Sequence, residues 1–276
     1  MMSFFGFLKK APLTAKIGLI IVSINLIAAL FAPMIAPYEQ DEVVGDIWLS
    51  PGKGHLLGTD QLGRDLCTRM LYGARNTIAL AFLITLLAFF IGVVCGLLAA
   101  TIGGILDMLL SRMVDIVISF PPLILTLMVL SILGSSTPVL LMVIAVVDST
   151  KVYRLGRALA MDLQVMEFVE VARLRGESTW WIISREILPN AMPTLLAEFG
   201  LRFCFIFLFI SALSFLGLGI QPPAADWGSM VRDNSGAISF GIFIPLWPAG
   251  AIALLSVGVN LVVDWFLQRS AQIRSS

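Results

Sequence analysis

The sequence predicts an all-α integral membrane protein with six transmembrane helices. Three observations lead to this fold class: the composition is strongly apolar, several uncharged runs are long enough to cross a bilayer, and the basic residues are unevenly distributed. Of the 276 residues, 58% are hydrophobic and 13% are charged. Soluble domains carry about 25% charged residues, so this chain has too few charges to cover a water-facing surface. The composition therefore excludes a soluble globular domain, a disordered chain, a coiled coil and a nucleic-acid-binding protein.

Breaks in the charge pattern delimit the candidate spans, because a helix needs about 20 residues to cross the hydrocarbon core. The first uncharged run follows a tail over residues 1–16 that resembles the start of a signal peptide. The run is too long for a signal peptide, so we expect a retained helix. A later run, from Ile116 to Val147, is too long for one crossing, and a Gly-Ser-Ser-Thr-Pro stretch at 134–138 divides it. The predicted membrane domain covers residues 17–276, with spans at about 17–36, 76–102, 112–133, 138–159, 191–218 and 244–266.

The basic residues predict the orientation of these spans. Six spans place both termini on the same side of the membrane. With the N-terminus in the cytoplasm, thirteen of the eighteen Lys and Arg residues lie in cytoplasmic segments or the adjoining helix ends. Four of the other five lie in one long outer segment, residues 37–75, and the charge of long loops influences topology least. We therefore expect a multi-pass protein with both termini in the cytoplasm.

The predicted cytoplasmic segment over residues 160–190 interleaves charged and apolar side chains. This pattern is typical of short amphipathic helices that lie across the membrane face, and also of an ordinary solvated loop with helical turns. Gly176 lies between the two halves, where the backbone can turn without a Cβ penalty. Pro189 falls at the start of the fifth span, a favoured position for proline.

The same segment resembles the EAA loop of permeases in bacterial ATP-binding-cassette (ABC) importers. The family pattern is Glu-Ala-Ala, three residues, Gly, nine residues, an apolar residue, one more residue and Leu-Pro. The segment keeps this register at Glu170, Ala172, Gly176, Leu188 and Pro189. It departs at two positions. Val171 replaces an alanine, and Glu186 occupies the apolar position with Ile187 one place later, so we expect the second arm to pack differently.

Further stretches narrow the resemblance to the dipeptide/oligopeptide/nickel branch of these importers, and to its C-type subunit. They follow in order at residues 55–65 (HLLGTDQLGRD), 72–75 (YGAR), 214–219 (SFLGLG) and 223–228 (PAADWG). With the EAA loop and a partial closing motif at residues 260–264, these stretches cover about residues 54–264. Asp148 departs from the family pattern, in which an aromatic residue is common at this position.

The resemblance implies a type I ABC importer permease fold in a bacterial inner membrane, with a cytoplasmic coupling helix in the EAA loop. Such permeases form half of a transmembrane heterodimer with a second, B-type permease subunit. One or two ATPase subunits bind ATP and Mg²⁺, and an extracytoplasmic binding protein delivers the substrate. The chain contains no Gly-x-x-x-x-Gly-Lys-Ser/Thr phosphate cradle, so we expect no cofactor in this chain. The resemblance assigns ATPase coupling to Glu170, Val171, Ala172, Arg173, Arg175, Gly176, Leu188 and Pro189.

The coupling role gives three of these residues distinct functions. We expect Glu170 to pair with a basic residue of the ATPase, Ala172 to permit close approach, and Gly176 to form the elbow between two arms. The alternative for Glu170 is a local ion pair with Arg173, three residues later, worth about 0.2–0.5 kcal/mol.

Two further groups of residues are candidates for a functional role. Pro121 and Pro122 lie within the predicted third span and would kink it, either to line the pathway or as a bend that neighbouring helices satisfy. Asp226, Trp227 and Arg232 follow the fifth span. We expect an exposed tryptophan there, which either contacts the binding protein or anchors at the membrane interface.

The acidic residue Asp148 lies near the inner end of the predicted fourth span. A buried acid in a span is a functional candidate. The alternative, which we favour, is that Asp148 pairs with Lys151 while Arg154 and Arg157 meet the lipid headgroups.

The sequence predicts neither a catalytic centre nor a metal site. It has one histidine, His55, and three cysteines without metal-type spacing, and it lacks a convincing nucleophile–base constellation. Gly92 and Gly96 are one helical turn apart, which predicts close helix packing rather than a ligand role.

The leading hypothesis is a non-enzymatic subunit of an importer for di- or oligopeptides. Nickel, glutathione, opines and sugar oligomers are alternative cargoes for the same architecture. An ion-driven secondary carrier is an alternative of a different class, and it would be expected to show an internal inverted repeat, which the sequence does not reveal. An intramembrane hydrolase is a third, which the missing constellation disfavours.

Overall fold

The computed structural model describes residues 12–52 and 54–275, with side chains as far as residue 268. In that part of the chain every regular element is a helix. The helices are α1 (Leu13–Ile35), α2 (Leu66–Ile102), α3 (Gly104–Ile118), α4 (Pro122–Leu133), α5 (Thr137–Leu163), α6 (Glu167–Leu174), α7 (Thr179–Ile182), α8 (Leu188–Phe215), α9 (Trp227–Asp233) and α10 (Leu246–Ser275). A π-helical turn (Ile183–Ile187) joins α7 to α8, and a 3-10 helix (Ser235–Phe240) follows α9. Most of the predicted tail, residues 1–11, lies outside the described residues.

Helix α2 forms the centre of the bundle and packs closely along α5. A Cβ atom at Gly92 would lie 2.6 Å from the Cβ of Val152, and one at Gly96 would lie 2.6 Å from the carbonyl oxygen of Tyr153. These distances leave no room for a side chain, so the two glycines allow the helices to approach each other. The predicted packing role of Gly92 and Gly96 is confirmed.

Among the described residues, four helical stretches are long and apolar enough to cross a membrane. They are α1, α2, the continuous helix from Thr179 to Phe215, and α10 as far as Gln268. A fifth results if α3 and α4 count as one bent span. Helix α5 has 27 residues, but charged residues from Asp148 onward interrupt its apolar sequence. A sixth span therefore remains a prediction from the sequence.

The predicted third span, residues 112–133, is not one continuous helix. Helix α3 begins earlier, at Gly104, and α4 continues from Pro122 at an angle of 89° to it. Two prolines account for the break, because neither Pro121 nor Pro122 can donate a backbone N–H, and Pro122 takes the favoured first position of α4. The kink predicted at these prolines is present as a break between two helices.

Helix α3 carries a polar face that binds α5. Arg157 donates two hydrogen bonds to the Asp107 carboxylate, at 2.6 and 2.7 Å, and Arg154 donates one to Asp115 at 2.7 Å. The expectation that both arginines meet lipid headgroups is corrected, because carboxylates on α3 hold them. The sequence signal for this contact is the four-residue spacing of Asp107, Ser111 and Asp115, which puts these three residues on one face of the helix.

The second helix begins at Leu66, about ten residues before the predicted start of its span. The carboxylate of Asp65 explains the start, since it accepts a hydrogen bond from the backbone N–H of Thr68 at 2.8 Å and caps the helix. The preceding residues 36–65, called the α1–α2 loop below, fold against this end of α2.

Candidate functional site

The segment predicted to have two arms does have them, and one apolar cluster holds both. Residues Glu167–Ile187, called the α6–α7 segment below, comprise α6, a turn, α7 and the π-helical turn. Its buried side chains pack against the ends of α2 and α5 in a cluster of Leu97, Ala100, Ala160, Val169, Ala172, Ile182, Ile183 and Ile187. A displacement of either arm would therefore be transmitted to α2 and α5.

Helix α6 has two distinct faces. Val169 and Ala172 are fully buried against the bundle. On the opposite side, Glu170 is exposed, Val171 is 51% exposed and Leu174 is 81% exposed. Large apolar side chains beside a charge on a water-facing surface are typical of a protein interaction site.

Ala172 does not lie on the exposed face. It is fully buried within the chain, so its methyl group contacts the bundle and cannot contact a partner in this conformation. This corrects the expectation that Ala172 lets an ATPase approach closely. The small side chain instead lets α6 approach the chain's own α2 and α5.

The turn between the arms is built on Gly176. Its φ is +78°, a conformation that residues with a Cβ rarely adopt. The Gly176 N–H donates to the carbonyl of Arg173 at 2.9 Å, and the Glu177 N–H donates to that of Ala172 at 3.2 Å, so the turn also satisfies the end of α6. The Ser178 hydroxyl then accepts a hydrogen bond from the Trp181 N–H at 3.3 Å and starts α7. The elbow predicted at Gly176 is confirmed.

A π-helical turn, Ile183–Ile187, lies where the second arm departs from the EAA pattern. A π-helical turn holds one residue more than an α-helical turn, so every later residue is displaced by one position around the helix. Ile187 is fully buried here, whereas Glu186 is only partly buried. Ile187, which stands one place after the apolar position of the EAA pattern, is thus the residue that is buried. Leu188 is partly buried beside it, and Pro189 is exposed in the first turn of α8.

Most charged side chains of the α6–α7 segment form no ion pair within the described part of the chain. The predicted local alternative, an ion pair between Glu170 and Arg173, is not formed in the described part of the chain. Arg173 instead approaches the side-chain oxygen of Gln164 at 3.5 Å, and the Arg175 guanidinium lies 5.8 Å from the centre of the Trp181 ring. The surface offers exposed apolar and charged groups, which suits docking rather than catalysis.

The candidates after the fifth span are mostly buried. Trp227 is 2% exposed and donates from its indole nitrogen to the carbonyl of Met70 at 3.0 Å. Asp226 is fully buried and caps α9 by accepting from the Ser229 N–H at 2.8 Å. Arg232 is partly exposed and binds the neighbouring Asp233 at 2.8 Å. The expectation of an exposed tryptophan is wrong, and neither Asp226 nor Trp227 is available to a binding protein in this conformation.

Two stretches that carry the family resemblance meet at this place. A Cβ atom at Gly73 would lie 2.7 Å from Cδ1 of Trp227, and one at Gly228 would lie 2.2 Å from the carbonyl oxygen of Ser211. Gly73 therefore makes room for the tryptophan, and Gly228 lets α9 touch α8. These motif residues build the junction of α2, α8 and α9.

The ion pair predicted within α5 is confirmed and is part of a larger group. Lys151 lies 3.4 Å from a carboxylate oxygen of Asp148. Arg202 of α8 lies 3.7 Å from the same oxygen and binds Glu198 at 2.6 Å. Two acids and two bases thus join α5 to α8.

Comparison with known proteins identifies the family. The family described as "Binding-protein-dependent transport system inner membrane component" matches residues 92–272. The dipeptide transport system permease protein DppC of Alkalihalophilus pseudofirmus is 36% identical over 258 residues, covering 93% of this chain and 84% of that protein. The glutathione transport system permease protein GsiD of Pectobacterium atrosepticum is 31% identical over 238 residues, covering 86% of this chain and 79% of that protein.

A solved structure supports the fold. The crystal structure of an amino acid ABC transporter with histidines matches with a TM-score of 0.55 at 19% sequence identity, covering 73% of this chain and 94% of that chain. The helical architecture therefore agrees with that of an ABC transporter permease. The chain belongs to the family of binding-protein-dependent transport system inner membrane components, which are multi-pass permease subunits of ABC transport systems and not enzymes.

Proposed function

We propose that this chain is the transmembrane subunit of an ATP-driven importer for di- and oligopeptides. It forms half of the translocation pathway, and a second, homologous permease subunit forms the other half. One or two ATPase subunits bind ATP and Mg²⁺, and an extracytoplasmic binding protein delivers the peptide. The N- and C-termini and the α6–α7 segment face the cytoplasm, in line with the distribution of thirteen of the eighteen basic residues.

One observation carries the coupling role: α6 is buried on one face and exposes apolar and charged side chains on the other. Glu170, Val171 and Leu174 form the exposed α6 face, which docks on the ATPase. Val169 and Ala172 on the buried face join the cluster that includes the ends of α2 and α5. Closure of the ATPase therefore moves α6 together with these helices, as a rigid body that changes access to the pathway.

The peptide cargo is supported by the relatives. The permease of Alkalihalophilus pseudofirmus is a dipeptide permease by name, whereas that of Pectobacterium atrosepticum is named for glutathione, the alternative cargo. A third relative, from Escherichia coli, is a probable D,D-dipeptide permease that is 33% identical over 258 residues.

The test of coupling is charge reversal on the exposed α6 face. The Glu170→Arg variant, assembled with its partner subunits in proteoliposomes, is expected to lose at least about tenfold of its ATP-driven dipeptide uptake, which corresponds to 1.4 kcal/mol of docking free energy. Glu170 is exposed, so the variant should accumulate and assemble its permease pair normally. Uptake of radiolabelled dipeptide and ATP hydrolysis are measured on the same vesicles.

The matched control is Asp41→Arg, which makes the same charge change at an exposed position in the α1–α2 loop, at the other end of α2. It should leave uptake and hydrolysis unchanged. Equal uptake in the Glu170→Arg variant and the unsubstituted protein would refute the docking role of the α6 face. If ATP hydrolysis drives the uptake of a molecule other than a peptide, only the assignment of the cargo is wrong.

A further inference from the structure

A deep groove opens on the side of the bundle between α1, α2, α8 and α10. It encloses about 650 Å³. Its lining includes Leu26 and Leu30 of α1, Phe82 of α2, Phe203 of α8 and Val263 of α10. Leu26, Leu30 and Phe82 are about half exposed or more, so the groove is open to the outside of this chain. Among the described residues that line the groove, Arg75 is the single charged one.

Arg75 lies where the apolar surface of α2 begins. No Asp, Glu, Lys or Arg follows it until Asp107. At 1.5 Å per residue, the helix rises about 10 Å from Arg75 to Phe82. Half of a hydrocarbon core of about 30 Å is about 15 Å. The groove therefore runs from the boundary of the bilayer through most of one leaflet.

The guanidinium of Arg75 has no partner in the described part of the chain. It is exposed, and no hydrogen bond or ion pair there involves it. Elsewhere on the same side, Arg64 and Arg69 are bound to Asp60. A guanidinium at a membrane boundary is well suited to a phosphate, which it can bind with two parallel hydrogen bonds.

We propose that this groove binds one phospholipid, with an acyl chain along the apolar walls and the phosphate on Arg75. An apolar trough of this depth facing a bilayer fills with hydrocarbon, because water would leave its walls unsolvated. The positive group at the boundary end and the purely apolar walls beyond it match the two parts of a phospholipid. On the proposed orientation, the lipid belongs to the outer leaflet. It fills the space between α1 and α8 and so fixes α1 on the bundle.

The test measures lipid retention by the purified importer. The protein is reconstituted with palmitoyl-oleoyl phosphatidylglycerol, delipidated mildly until annular lipid is lost, and weighed intact by mass spectrometry. One phospholipid should remain on this chain. The Arg75→Gln variant, which removes the charge, and the Ala79→Phe variant, which fills the groove, should each lower the lipid affinity about tenfold or more. Both positions are exposed, so the variants should fold.

Matched controls separate the site from general effects. Arg112→Gln removes an exposed charge on α3, and Leu83→Phe adds an aromatic ring to α2 outside the groove; both should retain the lipid. A photo-crosslinking residue at Ala79 should capture phospholipid in intact membranes. Retention that is equal in all variants, or a crosslink from position 79 to another protein subunit, would overturn the proposal and leave the importer assignment untouched.

Discussion

The α1–α2 loop and the α6–α7 segment are charged stretches at opposite ends of α2, and they treat their charges in opposite ways. In the loop and the adjoining start of α2, Asp60, Arg64 and Arg69 are at most 8% exposed, and both arginines bind Asp60. In the α6–α7 segment, Glu170 is exposed beside Leu174, and no ion pair in the described part of the chain involves it. The Asp60 cluster thus pairs its charges inside the protein, whereas Glu170 stays exposed and unpaired in the described part of the chain.

The α1–α2 loop is organised around the Asp60 carboxylate. It accepts hydrogen bonds from the backbone N–H groups of Leu62 and Arg64, at 2.8 and 3.0 Å, and from the Arg64 guanidinium at 2.8 Å. Arg69 lies 3.3 Å away and donates to the carbonyl of Gln40 at 2.8 Å. The neighbouring Asp65 is not part of this network and instead caps α2. Such a closed network stabilises the chain and offers little to a partner.

The largest effect on stability is expected when Asp60 is removed from its network with Arg64 and Arg69. The Asp60→Ala variant leaves Arg64 and Arg69 buried without a countercharge, which should destabilise the protein by about 3–5 kcal/mol. Thermal unfolding of the purified protein in detergent measures the loss. The exposed Asp41→Ala variant is the control and should change the free energy of unfolding by less than about 0.5 kcal/mol. Similar unfolding midpoints for both variants would contradict the contrast between a closed and an open charge pattern.

A smaller effect separates the two faces of α6. Ala172→Leu adds bulk to a fully buried position and should destabilise the protein by about 1–3 kcal/mol. Leu174→Ser acts on an 81% exposed side chain. It should change stability by less than about 0.5 kcal/mol but reduce ATP-driven uptake, because it weakens docking. Unfolding midpoints and uptake are measured for both variants. If the Leu174→Ser variant loses stability but keeps normal uptake, the exposed α6 face stabilises the fold and does not dock on the ATPase.

The sequence predicts the α6–α7 segment better than the contacts of α3 or the α1–α2 loop. The elbow at Gly176 follows from local chemistry, since a positive φ selects glycine. The one-residue offset of Ile187 is visible in the sequence, but the π-helical turn that ends at this residue is not. Ala172 shows what the sequence alone cannot predict. A small residue on an amphipathic helix permits close approach, but the sequence does not say whether it approaches another subunit or the chain's own helices.

The remaining differences arise from contacts between residues distant in the sequence. Trp227 is expected at the surface because it lies in a charged stretch after a span, but the space left by Gly73 buries it. Asp107 and Arg157 are fifty residues apart, so their pairing becomes visible only when α3 and α5 are adjacent. Local patterns thus predict turns and amphipathic faces, and tertiary packing decides which charges remain free.

The Asp226 carboxylate differs from both regions, since it is fully buried and no ion pair in the described part of the chain involves it. It accepts hydrogen bonds from the Thr77 hydroxyl at 2.9 Å and from the Ser229 N–H at 2.8 Å. Burial raises the pKa of this carboxyl above its ordinary value, and the hydrogen bonds from Ser229 and Thr77 oppose that shift only in part. The folded protein therefore holds this proton more tightly than the unfolded chain does.

The smallest predicted effect is a change in the pH dependence of stability at Asp226. Because the pKa is raised on folding, the stabilisation is present below the unfolded value of about 3.9 and is lost as the pH rises through the folded value. The Asp226→Asn variant cannot titrate at this position, and its amide oxygen can still accept one of the two hydrogen bonds. Its unfolding midpoint should therefore fall less steeply with rising pH than that of the unsubstituted protein, and Asp41→Asn should leave the slope unchanged. Parallel slopes for all three proteins would mean that the buried carboxyl keeps its ordinary pKa, and that hydrogen bonds alone can offset burial without a basic partner.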